Sequence, residues 1–110
     1  MERDFIPIKL ERNRFKKILI DDIIYCKAEG SYSVIKTISD EFTFSKCLKD
    51  IQFLFKDETF IKVNRSYIIN FKNCVELKTG ARPELVMIDG EIITPKQDII
   101  NKLNNKFGVY

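Results

Sequence analysis

Five short runs of strand-forming residues come before the first segment with helical periodicity, and that order limits the folds open to this chain more than any other feature. Parallel neighbours need a crossover of a dozen or more residues, whereas antiparallel neighbours need only a tight turn. The runs are Ile6 to Leu10, Phe15 to Ile20, Ile23 to Cys26, Tyr32 to Ile38 and Glu41 to Phe44. They are rich in Ile, Val, Phe, Tyr and Thr and bounded by polar turn residues. Asp21-Asp22 turns the chain into the third run, and Ser39-Asp40 joins the fourth and fifth as a hairpin. The expectation is a mainly β domain of short, mostly antiparallel strands with two short helices.

Ser45 is a candidate cap for the first helix, in which Leu48, Ile51, Leu54 and Phe55 form one apolar stripe while Lys46, Lys49, Asp50 and Lys56 face water. That helix should lie on the sheet. Phe60 to Val63, Tyr67 to Phe71 and Val75 to Lys78 read as further strands before the breaker cluster Thr79 to Pro83. Glu84 to Ile88 and Glu91 to Thr94 flank Asp89-Gly90, the strongest two-residue hairpin signal in the chain. At the C-terminal end Thr94 fits an N-cap, Pro95 the first helical position and Gln97 the capping-box position. Ile99, Ile100, Leu103 and Phe107 then form the buried face of a second helix.

These patterns predict a core of Ile8, Leu10, Ile18, Ile20, Ile23, Tyr25, Val34, Ile38, Leu48, Ile51, Phe60, Val63, Ile69, Val75, Leu77, Leu85, Val86, Ile88 and Ile92. A chain of 110 residues with 45% hydrophobic composition and only four Gly suits one packed domain spanning 1–110.

What is missing excludes much chemistry. With no His in the chain, a Ser-His-Asp triad, a Cys-His pair and every His-containing zinc or haem site are impossible within it. Cys26, Cys47 and Cys74 are odd in number, with no C-x-x-C spacing, and suit a reducing compartment better than a disulfide framework. They read as strand and helix fillers. No apolar run reaches the ~18 residues of a membrane span, and no signal-peptide hydrophobic stretch follows Met1. The expectation is a cytoplasmic protein that is not an enzyme, with no cofactor, no metal site and no membrane partner.

Local charge says more than the net value of +3. Lys9, Arg12, Arg14, Lys16 and Lys17 crowd one stretch, and Lys62, Arg65, Lys72, Lys78 and Arg82 another. Gathered on one surface they would neutralise phosphates; scattered, they would keep strand edges soluble. Between two apolar segments, Asn64, Arg65 and Ser66 place an amide, a guanidinium and a hydroxyl where burial would be costly, so they belong on a solvent-facing turn. That donor set suits groove recognition, and equally suits turn caps at Asn64 and Asn70 with Arg65 in an ion pair. The backbone N–H groups of Lys96 and Gln97 would form an anion site at a helix start, or serve an ordinary capping box. Glu29-Gly30-Ser31-Tyr32-Ser33 matches neither a P-loop nor a nucleophile elbow and reads as a polar turn.

Three segments in order, Ile23 to Tyr32, Phe60 to Asn70 and Ile93 to Lys96, resemble the LytTR DNA-binding domain of bacterial transcription regulators. The most specific part is Arg65-Ser66-Tyr67 followed by Ile68-Ile69 and Asn70, with Ala28 to Tyr32 upstream. The resemblance runs from about Ile6 to Phe107. It implies a fold of about ten short strands that binds promoter DNA through loops in successive major grooves. It further implies three contact loops: Ser31, Tyr32 and Ser33; Asn64, Arg65 and Ser66; and Thr94, Lys96 and Gln97. Within them Arg65 would read a base, with Ser66, Lys62 and the helix start on phosphates. The chain departs from the family's usual residues at Ser31 (Asn), Asn64 (His) and Pro95-Lys96 (Ser-Arg).

Members of that family are commonly output domains of two-component response regulators, with a receiver domain linked to a sensor kinase ahead of this module. The expectation is a regulator or output domain without the receiver, with paired half-sites engaging a second copy. A β-rich protein–protein interaction module is the alternative, an RNA-binding module comes third, and an enzyme last.

Overall fold

The computed structural model describes residues 5–11, 13–55 and 58–108, with backbone only at Leu10 and Glu11. The expected core role of Leu10 and the expected surface positions of Arg12 and Lys56 therefore lie outside what is described. In chain order the elements are β1 (Phe5–Glu11), β2 (Arg14–Leu19), β3 (Ile23–Glu29), β4 (Tyr32–Thr37), β5 (Glu41–Phe44) and α1 (Leu48–Leu54). They continue with β6 (Phe60–Lys62), β7 (Tyr67–Asn70), β8 (Cys74–Lys78), β9 (Glu84–Met87), β10 (Ile92–Ile93) and α2 (Ile100–Phe107). The fold is mainly β, and every strand pair is antiparallel.

A five-stranded sheet in the order β5-β4-β3-β7-β6 forms the middle layer. The β1–β2 ribbon and α1 close a core on one face, built on Ile6, Ile8, Ile18, Ile23, Cys26, Ile35, Leu48, Ile51, Phe55 and Ile68. The opposite core joins Ile24, Tyr25, Ile61, Val63 and Ile69 to Leu85, Met87 and Ile93 of the β8–β9–β10 sheet and to Leu103 of α2. Successive residues Ile68 and Ile69 serve opposite cores, as strand alternation requires. In β3 a register shift between Ile23 and Tyr25 lets Ile24 and Tyr25 both serve the second core while Ile23 and Cys26 serve the first. Burial on both faces explains why Ile23 to Cys26 is a continuous apolar run.

Two asparagines lock the non-local pairing of β7 with β3. Asn70 donates from Nδ2 to the Ile23 carbonyl (2.9 Å) and accepts from the Lys72 N–H (3.1 Å). Asn73 donates to the carbonyls of Ile23 (2.7 Å) and Asp21 (3.0 Å). Among the described residues no buried side-chain nitrogen or oxygen lacks a partner.

The structure corrects several expectations. In β4 the inner positions are Ser33, Ile35 and Thr37, whereas Val34 is half-buried and Ile38 is exposed. The inward register is affordable because both hydroxyls are satisfied: Ser33 donates to the Lys46 carbonyl (2.7 Å) and Thr37 to that of Asp40 (3.0 Å). Val75 turns outward at a register shift between Cys74 and Glu76, and Ile92 is exposed because Ile93 takes the inner position. Ile88 is also exposed, and Ile20, Phe60, Leu77 and Val86 are only partly buried. The Asp89-Gly90 hairpin has a three-residue loop, since the Met87 N–H donates to the Glu91 carbonyl and the Gly90 N–H to that of Met87. Gly90 stands there at φ 92, the left-handed position such loops require.

Candidate nucleic-acid interface

Antiparallel pairing brings three connections to one end of the middle sheet. β3 ends and β4 begins at the Gly30-Ser31 turn, where Glu29 faces Tyr32 and Gly30 has φ 63, strained for any L side chain. β7 begins beside the same end of β3, with Lys27 opposite Tyr67. The Ala28 N–H donates to the Ser66 carbonyl (2.8 Å), so the β6–β7 connection Val63 to Ser66 docks against the end of β3. The chain leaving β10 joins them, since the Asn64 amide donates to the Thr94 carbonyl (2.8 Å) and the Lys96 N–H to that of Val63 (2.8 Å).

The side chains expected to act at this end divide into two groups. Ser31, Tyr32, Lys62, Arg65, Ser66, Thr94, Lys96 and Gln97 are exposed. Arg65 has no hydrogen bond or ion pair among the described residues, so its guanidinium is presented to solvent with all its donors free. Ser33 is turned into the protein, and the half-buried Asn64 is engaged by neighbouring backbone. The Asn64 carbonyl oxygen accepts from the N–H groups of Ser66 (2.8 Å) and Tyr67 (2.9 Å), a side-chain-closed turn of the kind Asn favours. Ser33 is fully buried and holds the Lys46 carbonyl. Together Asn64, Arg65, Ser66, Tyr67, Ile92, Thr94 and Lys96 line an open groove of about 470 Å³.

The helix start differs from the sequence expectation. Lys96, not Thr94, is the N-cap residue of a 3-10 turn Gln97–Ile99 that leads into α2, and Pro95 is buried ahead of it. The Lys96 N–H is consumed by the Val63 carbonyl and offers nothing to an anion. Thr94 stands two residues ahead of that cap, with its carbonyl accepting from the Asn64 amide.

Behind the exposed groups lies a polar support. The Tyr67 hydroxyl donates to the Glu91 carboxylate (2.9 Å), and its ring meets Tyr25 edge-on at 5.5 Å between centroids. Burial first, and then the bond to Glu91, push the Tyr67 phenol up to about 12, so it remains a donor at neutral pH. Burial pushes the Cys26 thiol up to about 12 as well, consistent with an inert core filler. Lys46 is a residue the sequence reading missed: it is exposed immediately after β5, at the same end, because Ser33 ties its carbonyl to β4. Its position beside a predicted helix cap disguised it as an ordinary solvated lysine.

A β-domain that gathers three connections and several unpaired cations at one end has the form of a loop-presenting binding module. The family model of the LytTr DNA-binding domain matches residues 13–108, and the chain belongs to that family. It is 30% identical over 87 residues to the heme-containing CO-sensing transcriptional regulator RcoM 1 of Paraburkholderia xenovorans, covering 78% of this chain and 32% of that protein. It is 31% identical over 80 residues to the sensory transduction protein LytT of Bacillus subtilis, covering 69% of this chain and 33% of that protein. The chain thus spans about one third of the length of the curated relatives it matches. A solved LytTr DNA-binding domain from Bacillus cereus, of a putative methyl-accepting/DNA response regulator, has the same fold, with a TM-score of 0.77 at 17% identity over 98% of this chain and 100% of that one.

Proposed function

We propose that this chain binds double-stranded promoter DNA sequence-specifically and regulates transcription in the bacterial cytoplasm, without catalysis, as the output domain of a response regulator. The observation that carries the reading is the exposed, unpaired Arg65 at the centre of the stitched β6–β7 and β10 connections. Arg65 supplies the bidentate donor fork that a guanine edge accepts in the major groove. Lys62, Lys96 and Ser66 fit phosphate oxygens, and Ser31 and Tyr32 form a separate contact loop at the Gly30 turn. Thr94 and Gln97 extend the third contact. Ser33 and Asn64 act from inside, by holding the loops.

No helix among the described residues is long and apolar enough to cross a membrane.

Selection of bound duplexes from a random library tests the reading. Enrichment of two short half-sites about one helical turn apart supports it, and the stoichiometry of the complex then separates one copy spanning both from one copy on each. Absence of any enriched sequence removes it. A β-rich protein-interaction module would instead bind its partner with little loss between 50 and 200 mM salt, where phosphate-driven binding falls steeply.

A further inference from the structure

We infer that Asn64 is a positioning residue that makes the Arg65 turn and the Thr94–Lys96 segment read DNA as one unit. This rests on the DNA-binding reading above. The Asn64 amide has two acceptor lone pairs and two donor hydrogens. Both lone pairs are used within its own turn, on the N–H groups of Ser66 and Tyr67, and one hydrogen reaches the Thr94 carbonyl 30 residues downstream. The Lys96 N–H to Val63 carbonyl bond runs beside it in the opposite direction, so the two segments exchange a reciprocal pair of bonds.

Arg65 therefore stands between fixed neighbours. Val63 and Asn64 are tied to the chain leaving β10, the Ser66 carbonyl accepts from Ala28 of β3, and the Tyr67 hydroxyl is held by Glu91. Among the described residues nothing holds the Arg65 side chain itself, which leaves its donors for a base. Without Asn64, the Arg65 turn and the Lys96 segment would each have to be ordered on binding, and that cost would fall on specific sites where geometry matters most. A residue that read a base directly would govern one base pair. A residue that sets the spacing of two readers governs the preferences of both together.

The test compares Asn64→Ala with the wild-type chain in duplex selection, in binding to the selected operator and to random duplex, and in amide hydrogen exchange of the free protein. The expected results are a roughly tenfold loss on the operator, random-duplex binding within about twofold, and weakening of base preference at two separated positions together. Exchange at the Lys96 N–H should rise as well. Loss of preference at one base pair only, with Lys96 exchange unchanged, overturns the inference and makes Asn64 a base reader. If Asn64→Ala melts before it can be assayed, Asn64→Asp keeps the acceptor for Ser66 and Tyr67 but loses the donor to Thr94. With the tie between the segments lost, both base preferences should weaken together and Lys96 exchange should rise; retention of both, or loss at one base pair only with Lys96 exchange unchanged, overturns the inference. Enrichment by wild type with no change in either variant removes this inference and leaves the proposed function standing, whereas no enrichment by wild type removes both.

Discussion

Ser33→Ala separates a residue that shapes the binding end from one that touches DNA. The Ser33 side chain is fully buried, and its hydroxyl donates 2.7 Å to the Lys46 carbonyl, 13 residues away. Deleting it removes one hydrogen bond and leaves a partly buried carbonyl without that donor, which costs about 1–2 kcal/mol. Unfolding entropy at the midpoint is about 0.23 kcal/mol/K for a domain of this length, so Tm should fall by about 4–9 °C. The assay is thermal denaturation followed by circular dichroism, run beside operator and random-duplex binding at a temperature where both proteins are folded. Ser31→Ala is the control: that side chain is exposed at the adjacent turn and should leave Tm within about 1 °C. A Ser33→Ala protein with unchanged Tm and tenfold weaker operator binding would refute the reasoning and put the hydroxyl on DNA.

Further outcomes follow from other contacts. Lys62→Ala and Lys46→Ala should each weaken operator and random duplex alike and reduce the slope of log K against log salt by about 1, measured by titration at several salt concentrations. Asn70→Ala removes bonds to the Ile23 carbonyl and the Lys72 N–H at a buried position and should cost about 2 kcal/mol in denaturant unfolding. Alkali should destabilise the fold. Burial raises the Tyr25, Tyr67 and Cys26 groups in the folded state, so the unfolded chain releases protons from about 9 to 10 that Cys26 and Tyr67 hold until about 12. The denaturation midpoint should therefore be level up to about pH 9 and fall as pH rises toward 12, with a shallower fall in Tyr67→Phe.

Much of this molecule was legible because its local signals agree with its tertiary structure. The order of ten strands and two helices follows from runs of β-branched and aromatic residues broken by turn residues, but the first helical stripe was legible only in part: Leu48, Ile51 and Phe55 join the core, Leu54 is exposed, and Cys47 rather than Ser45 is the N-cap residue. The β4 register was not legible, because a rule that sends apolar residues inward assigns Val34 and Ile38 to the core. Ser33 and Thr37 take the inner positions only because distant or turn carbonyls, those of Lys46 and Asp40, accept from their hydroxyls. The start of the last helix was misplaced for the same kind of reason. A local capping pattern at Thr94 to Gln97 lost to a bond donated by the Asn64 amide and one accepted by the Val63 carbonyl, 30 or more residues upstream. At the loop end Lys62, Arg65 and Lys96 could be named from the chain, whereas the place of Lys46 and the holding roles of Ser33 and Asn64 depend on partners that sequence spacing does not show.

A base-reading Arg65 on a turn held by its neighbours should discriminate between operator and random duplex. Its most direct test is the affinity of Arg65→Ala for the selected operator and for random duplex, measured across 50 to 200 mM salt. The expected result is a loss of about 1–3 kcal/mol on the operator with relaxed preference at one base pair, and little change on random duplex. Equal losses on both duplexes at every salt concentration would contradict it and reduce Arg65 to a phosphate contact.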